Sequence, residues 1–154
     1  MRDEEAVRRY VERLALVLTQ LGFQRMPARV FAALVVTDES RLTAGEIGEK
    51  LQISPAAVSG AVRYLEQVGM VVREREPGSR RDHFRVTDDM WFASMRKRDR
   101  LMELWRDAAV EGIPVVGEDT PAGKRLADMR DFLGFLIEQL PLLFERWEKE
   151  RAER

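Results

Sequence analysis

The sequence predicts a mainly α fold with a small β-hairpin, flanked at both ends by long amphipathic helices. Two short helical segments are joined by only a few residues around Gln52–Ile53, which is helix-turn-helix spacing. β-rich runs lie on either side of Pro77–Gly78 and predict a hairpin. Apolar residues recur every three or four positions near both ends of the chain. This order predicts a winged helix-turn-helix over residues 22–87, with residues 1–21 and 88–154 as a helical dimerisation region.

The N-terminal third of the chain predicts two helices before the helix-turn-helix. Apolar residues from Val7 to Leu21 follow the i, i+3, i+4, i+7 pattern of one helix face. Gly22 is a typical residue for ending that helix. A second helix is predicted from Pro27, which suits a first helical turn. The terminal apolar stripes fit a bundle between two copies of the chain, but packing within one chain would produce the same stripes.

The two helices of the helix-turn-helix carry their own start signals. Thr43 and Glu46 have the spacing of a capping box. Ser54 is a suitable N-cap for the next helix, and Pro55 suits its first position. The second helix is therefore expected to start directly after the turn.

The outer face of this second helix consists almost entirely of small residues. Its inner face is predicted from the helical spacing of Val58, Ala61, Val62, Leu65 and Val68. The residues left for the outer face are Ser54, Pro55, Ala56, Ala57, Ser59, Gly60 and Arg63. A helix that enters the major groove of DNA needs such a face, because short side chains let it approach base edges and phosphates. Ser59 and Gly60 would equally suit close packing against another protein element, and an isolated exposed arginine is commonly only solvated.

The predicted hairpin has a basic tip. Residues 54–87 carry six basic and four acidic side chains and form the net-positive part of the chain. Arg80 and Arg81 follow the Pro77–Gly78 turn, where they could reach into a narrow minor groove. Arg73 on the first hairpin strand completes the predicted DNA-binding residues. The alternative is a charged, solvated loop.

The C-terminal part predicts two further helices. The first is expected to end at Gly112 and Pro114, with a loop from Gly112 to Gly123, and the second has apolar residues from Leu126 to Trp147 at alternating spacings of three and four. The first contains three aromatic residues that could line a ligand cavity or simply be core residues: Trp91, Phe92 and Trp105.

Composition argues against most enzyme and metal chemistry. The chain of 154 residues has no cysteine and one histidine, so it offers no thiolate nucleophile and no histidine cluster. We expect no cofactor and no metal site. No apolar run approaches a membrane span and the start lacks the apolar region of a secretory signal, so we expect a cytoplasmic protein without a membrane partner.

Residues from Leu42 to Val86 resemble the DNA-binding domain of MarR-type bacterial transcriptional regulators, and the segment from Leu21 to Glu39 is similar to the GbsR-like subgroup. The resemblance implies a homodimer that binds pseudo-palindromic double-stranded DNA, commonly a repressor relieved by a small-molecule effector. DNA contacts then fall on the outer face described above and on Arg80 or Arg81. Many members have an arginine where this chain has Gly60. The alternative function is a winged-helix protein-interaction module that does not bind DNA.

Overall fold

A computed structural model of the chain describes residues 2–39, 41–87 and 90–154, and for residues 90–97 it describes the backbone alone. The chain divides into two compact units, Met1–Ser94 and Met95–Arg154. The elements in chain order are α1 (Glu4–Gln20), α2 (Arg25–Val36), β1 (Leu42–Thr43), α3 (Ala44–Leu51), α4 (Pro55–Gln67), β2 (Val71–Arg75), β3 (Asp82–Val86), α5 (Met90–Val116) and α6 (Pro121–Ala152). The predicted mainly α fold with a small β-hairpin is confirmed.

The first unit is a helical core with a three-stranded antiparallel sheet. The strand order is β1-β3-β2, so the short β1 extends the predicted hairpin by one strand. The largest fully buried side chains come from α2, β1, α3 and α4, and they are Val30, Leu42, Ile47, Val58, Val62 and Leu65. Burying a side chain of this size contributes about 1.5–3 kcal/mol. The helix-turn-helix is therefore held in place by the same core that anchors the sheet.

The predicted start signals of α3 and α4 are confirmed in atomic detail. Thr43 Oγ1 accepts a hydrogen bond from the Glu46 amide at 3.2 Å, and the Glu46 carboxylate accepts one from the Thr43 amide at 3.0 Å. Between the helices, Gln52 adopts a left-handed conformation with φ 54°. Ser54 Oγ then accepts from the Ala57 amide at 3.2 Å and caps α4. Capping of this kind satisfies amides that have no partner within the helix.

The N-terminal helix α1 belongs to the same compact unit as the helix-turn-helix. It packs on α2 and buries Val11 and Ala15. The Glu12 carboxylate accepts from the Arg29 guanidinium at 2.6 Å, and that guanidinium also donates to the Leu51 carbonyl at 3.1 Å. The apolar stripe of α1 is thus partly used within one chain. Its assignment to a dimerisation region stays a prediction.

In the second unit, the prediction of a loop from Gly112 to Gly123 is wrong. Helix α5 continues through Pro114 to Val116, and α6 already begins at Pro121. Gly112 is a packing residue here, because an added Cβ would lie 3.0 Å from Leu126 Cδ1. Pro114 lies within the last turn of α5, and the helix ends at Gly117, whose φ is 93°.

The second unit leaves many large apolar side chains exposed. They lie on both helices and include Leu104, Val115, Phe132, Phe135, Leu142 and Leu143. The described helices nevertheless include none that is long and apolar enough to cross a membrane.

Candidate nucleic-acid interface

Helix α4 presents one face to the core and the other to solvent. Val58, Ala61, Val62 and Leu65 are buried, as their spacing predicts. The exposed residues are Ser54, Pro55, Ala56, Ser59, Gly60 and Arg63. Ala57 is half-buried, because it lies on the border between the two faces. Six of the seven predicted outer-face residues are therefore exposed.

Arg63 is the long cationic side chain on this face. It is exposed, and it forms no ion pair with any residue that the structure describes. It lies seven residues after Ala56, which is about two helical turns, so both residues share one face of α4. The arrangement places a guanidinium, whose five N–H donors make no hydrogen bond to the described residues, beside a helix surface of mostly small side chains.

The hairpin carries two more accessible arginines at its tip. β2 and β3 pair in register from Val71–Val86 to Arg75–Asp82, which leaves residues 76–81 as the connecting loop. The loop turns at Gly78, whose φ is 84°, and the Ser79 hydroxyl accepts from the Arg81 amide at 3.2 Å. Arg80 and Arg81 are exposed, and within the described residues neither forms an ion pair.

Arg73, also predicted to bind DNA, is already engaged within the chain. Its guanidinium donates to Glu66 Oε1 on α4 at 2.7 Å and to Asp82 Oδ2 on β3 at 3.0 Å. It also lies over the ring of Phe84, with its Cζ 5.2 Å from the ring centroid. The pKa of Arg73 is raised, first by the hydrogen bond to Glu66. Arg73 thus ties the hairpin to α4, and its predicted contact with DNA has no independent support in this geometry.

Sequence reasoning missed Asp82, which lies at the centre of this group. Asp82 accepts from Arg73 and, at 3.1 Å, from Arg75 Nε. The opposite charges of Arg75 and Asp82 flank the hairpin loop, and this pattern could have indicated their pairing, since they are direct cross-strand neighbours. A similar group holds the other side of the sheet, where Glu74 pairs with Arg41 and Arg85.

We expect these ion pairs to make the stability of the hairpin depend on pH. The hydrogen bond from Arg75 lowers the pKa of Asp82, and the hydrogen bond from Arg85 lowers the pKa of Glu74. A carboxyl whose folded-state pKa is depressed stabilises the fold above its unfolded pKa, near 4, and loses that contribution as the pH falls through the folded value. We expect Asp82→Asn to be less stable than wild type at pH 7, and the difference to shrink below about pH 4.

Denaturant unfolding of both proteins between pH 7 and pH 3 measures this. Asp131→Asn on α6 is a suitable comparison. The pKa of Asp131 is also lowered, but its partner is Arg130, and both residues lie far from the hairpin in sequence. A constant difference between wild type and Asp82→Asn across the series would show that ionised Asp82 does not stabilise the fold.

The described part of the structure does not show the three predicted aromatic ligand residues together. Trp105 is 56% exposed on α5. The side chains of Trp91 and Phe92 lie outside the described residues. A ligand cavity formed by these three residues therefore stays a prediction.

Comparison with known proteins relates both parts of the chain to one family. A MarR family model matches residues 21–82, and a model of MmpR5-like MarR family transcriptional regulators matches residues 89–150. The chain belongs to the MarR family. The two matches are consecutive, so both the helix-turn-helix with its hairpin and the C-terminal helices have the sequence character of this family.

Two individual relatives are described as transcriptional regulators. The uncharacterised HTH-type transcriptional regulator YcgE of Bacillus subtilis (strain 168) is 36% identical over 55 residues. That match spans 36% of this chain and 36% of the relative. A crystal structure of a transcriptional regulator has a TM-score of 0.84 and 27% identity, covering 94% of this chain and 99% of that one. The MarR-type fold is thus shared over nearly the whole length of a solved regulator.

Proposed function

We propose that the protein is a dimeric transcriptional regulator that binds pseudo-palindromic double-stranded DNA. The observation that carries this proposal is the set of exposed arginines on α4 and on the hairpin of a MarR-type fold that form no ion pair with the described residues. Arg63, Arg80 and Arg81 are exposed, whereas four other arginines of the sheet region are paired with carboxylates: Arg41, Arg73, Arg75 and Arg85. Phosphates and base edges are the partners that free guanidinium groups of this kind recognise.

The helix-turn-helix supports a direct role for α4. In such motifs the second helix lies in the major groove and its N-terminal residues contact base edges. The exposed N-terminal residues of α4 are short, so its backbone can approach a duplex closely. Arg80 and Arg81 would then bind alongside, in the minor groove or on its phosphates.

Dimerisation is supported by the exposed apolar surface of the second unit. Phe132 and Phe135 on α6 are 61% and 58% exposed, and contiguous apolar patches on soluble proteins commonly mark interaction sites. A two-fold dimer would present two copies of α4 to half-sites about one helical turn of DNA apart.

The finer part of this proposal has three points. The protein is a ligand-responsive repressor, it belongs to the GbsR-like subgroup, and it is located in the cytoplasm. They are supported by the resemblance of residues 21–86 and by the general character of the MarR family. Effector binding would be detected as release of a selected duplex by the small molecule.

The proposal is tested by selecting bound duplexes from random DNA with the full-length protein. We expect recovery of a palindrome whose half-sites are centred about 34 Å apart. Equal binding to selected and random DNA would contradict sequence-specific regulation. It would favour the alternative, a winged-helix module that binds another protein through the bare face of α4.

Replacing Arg80 and Arg81 together by alanine should weaken DNA binding about tenfold or more and reduce its salt dependence. Each lost phosphate contact lowers the slope of log K against log salt by about 0.9. The matched control is Arg130→Ala with Arg146→Ala, which removes the same charge from α6, where both arginines are paired with acidic neighbours. Equal affinity and equal salt slope for the two double variants would show that the hairpin tip does not contact DNA.

A further inference from the structure

On the outer face of α4, Arg63 is the cationic side chain that can read a base pair by two hydrogen bonds at once. Over the first two turns of α4 the exposed residues are Pro55, Ala56, Ser59 and Gly60. Pro55, Ala56 and Gly60 have no polar side-chain atom, and Ser59 has a single hydroxyl. Arg63 follows on the next turn with a planar guanidinium that presents parallel N–H groups.

Arg63 is free to use that guanidinium on a partner. It forms no ion pair with the described part of the chain, although acidic residues of the same region bind other arginines. Glu66, three residues further along α4, is held by Arg73 at 2.7 Å. The nearest acidic residue on this helix is therefore already engaged with the hairpin.

Gly60 leaves room for close approach to α4. It has an ordinary helical backbone, and a Cβ added to it would meet no described atom within 4 Å. Neither conformation nor packing within the described part of the chain therefore requires glycine at this position. Its lack of a side chain lets a partner come closer to the helix than a Cβ would allow.

Resting on the proposed function, we propose that Arg63 is the specificity-determining residue of α4. It donates two hydrogen bonds to O6 and N7 of a guanine in the major groove, and Gly60 lets α4 lie deep enough for this contact. Guanine is the base whose major-groove edge presents two adjacent acceptors to an arginine fork. A half-site with one dominant G·C pair follows for each copy of α4.

The experiment uses the full chain, the duplex recovered by selection, and variants of that duplex changed at one base pair at a time. Affinities are measured for wild type, Arg63→Ala and Arg63→Lys. We expect one G·C position where a base change weakens wild-type binding about tenfold or more. At that position the same base change should weaken the binding of Arg63→Ala and of Arg63→Lys by a much smaller factor. Arg63→Lys retains the charge but lacks the fork, so it should keep the wild-type salt slope while losing discrimination.

Two results would overturn the assignment of Arg63. If Arg63→Ala weakens binding to all duplexes uniformly and lowers the salt slope by about one, Arg63 contacts a phosphate and reads no base. If Arg63→Lys discriminates as well as wild type, the planar guanidinium fork is not responsible. Failure of the proposed function looks different, since the wild-type protein would then prefer no duplex.

Gly60→Ala tests the close approach separately. We expect a higher melting temperature, because alanine favours the helix, together with roughly tenfold weaker binding to the selected duplex. Gly134→Ala is the control for the effect on helix stability, since a Cβ on that α6 glycine likewise meets no described atom within 4 Å. It should raise the melting temperature to a similar degree. Wild-type affinity of Gly60→Ala would show that α4 does not approach the duplex so closely.

Discussion

Replacing Gly123 by alanine is expected to lower the free energy of unfolding by about 3 kcal/mol, at the upper end of the usual cost of overpacking. Gly123 lies in the first turn of α6, directly against the turn that joins it to α5. An added Cβ would lie 2.1 Å from the Gly117 carbonyl oxygen and 2.9 Å from that of Glu118. Both are backbone atoms, so the clash cannot be relieved by rotating a side chain.

The surrounding hydrogen bonds make this turn difficult to shift. Thr120 Oγ1 donates to the Gly117 carbonyl at 2.7 Å and accepts from the Gly123 amide at 3.0 Å. Moving Gly117 away from a new Cβ would break the hydrogen bond that holds the capping Thr120 hydroxyl, at a further cost of about 1 kcal/mol.

Chemical denaturation of Gly123→Ala measures the loss, and Gly134→Ala in the same helix is the matched control. The Gly134 change should stabilise α6 by up to about 1 kcal/mol, because it improves helix propensity without a clash. Similar effects of the two substitutions would mean that the α5–α6 turn does not have this close contact.

The helix-turn-helix was predictable because its signals are local. The capping box of Thr43 and Glu46 and the Ser54–Pro55 start depend on residues at most three positions apart, and the structure has both. The inner face of α4 follows from helical periodicity alone. The outer face of the candidate interface then follows by elimination, which is why Arg63 and Gly60 were identified from sequence.

Features that depend on contacts between elements were not predictable in the same way. Arg73 is a basic residue beside a basic loop, but its partner Glu66 is on another element and its partner Asp82 is set by strand register. From the sequence, Gly112 is predicted to end a helix, because the sequence does not show that Leu126 packs against it. In both cases the residue type fits the predicted role, and the structure adds a tertiary contact that the sequence does not show.

The charged residues of the sheet region show the same limit of sequence-based prediction at the candidate interface. Counting basic residues over 54–87 treats Arg73 and Arg80 alike. The structure separates them, since Arg73 neutralises carboxylates within the chain while Arg80 remains unpaired among the described residues. Among the described residues, fewer arginines of this region are unpaired than a count of basic residues suggests.

The placement of the hairpin arginines depends on Phe84, and Phe84→Ala is expected to cost about 3–5 kcal/mol of folding free energy. Phe84 is 3% exposed at the middle of the central strand β3, where it pairs with Leu42 of β1 and Arg73 of β2. Its ring fills the core below the sheet and supports the Arg73 guanidinium at 5.2 Å. Removing the ring leaves a cavity and also releases Arg73 from one of its contacts.

Phe84→Leu is the control that separates packing from the ring contact. Leucine keeps most of the buried apolar volume, so its cost should be clearly smaller than that of alanine. The loss of folding free energy that remains in Phe84→Leu would include the cation–π contact with Arg73, worth about 0.5–1 kcal/mol at a partly exposed site. Denaturant unfolding followed by far-UV circular dichroism measures both variants, and DNA binding is compared below their unfolding midpoints.

Since a typical domain has only about 5–15 kcal/mol of stability, a loss under 1 kcal/mol for Phe84→Ala would show that the sheet is anchored elsewhere. The hairpin tip would then owe its position to the ion pairs of Asp82 and Glu66 instead of to the core.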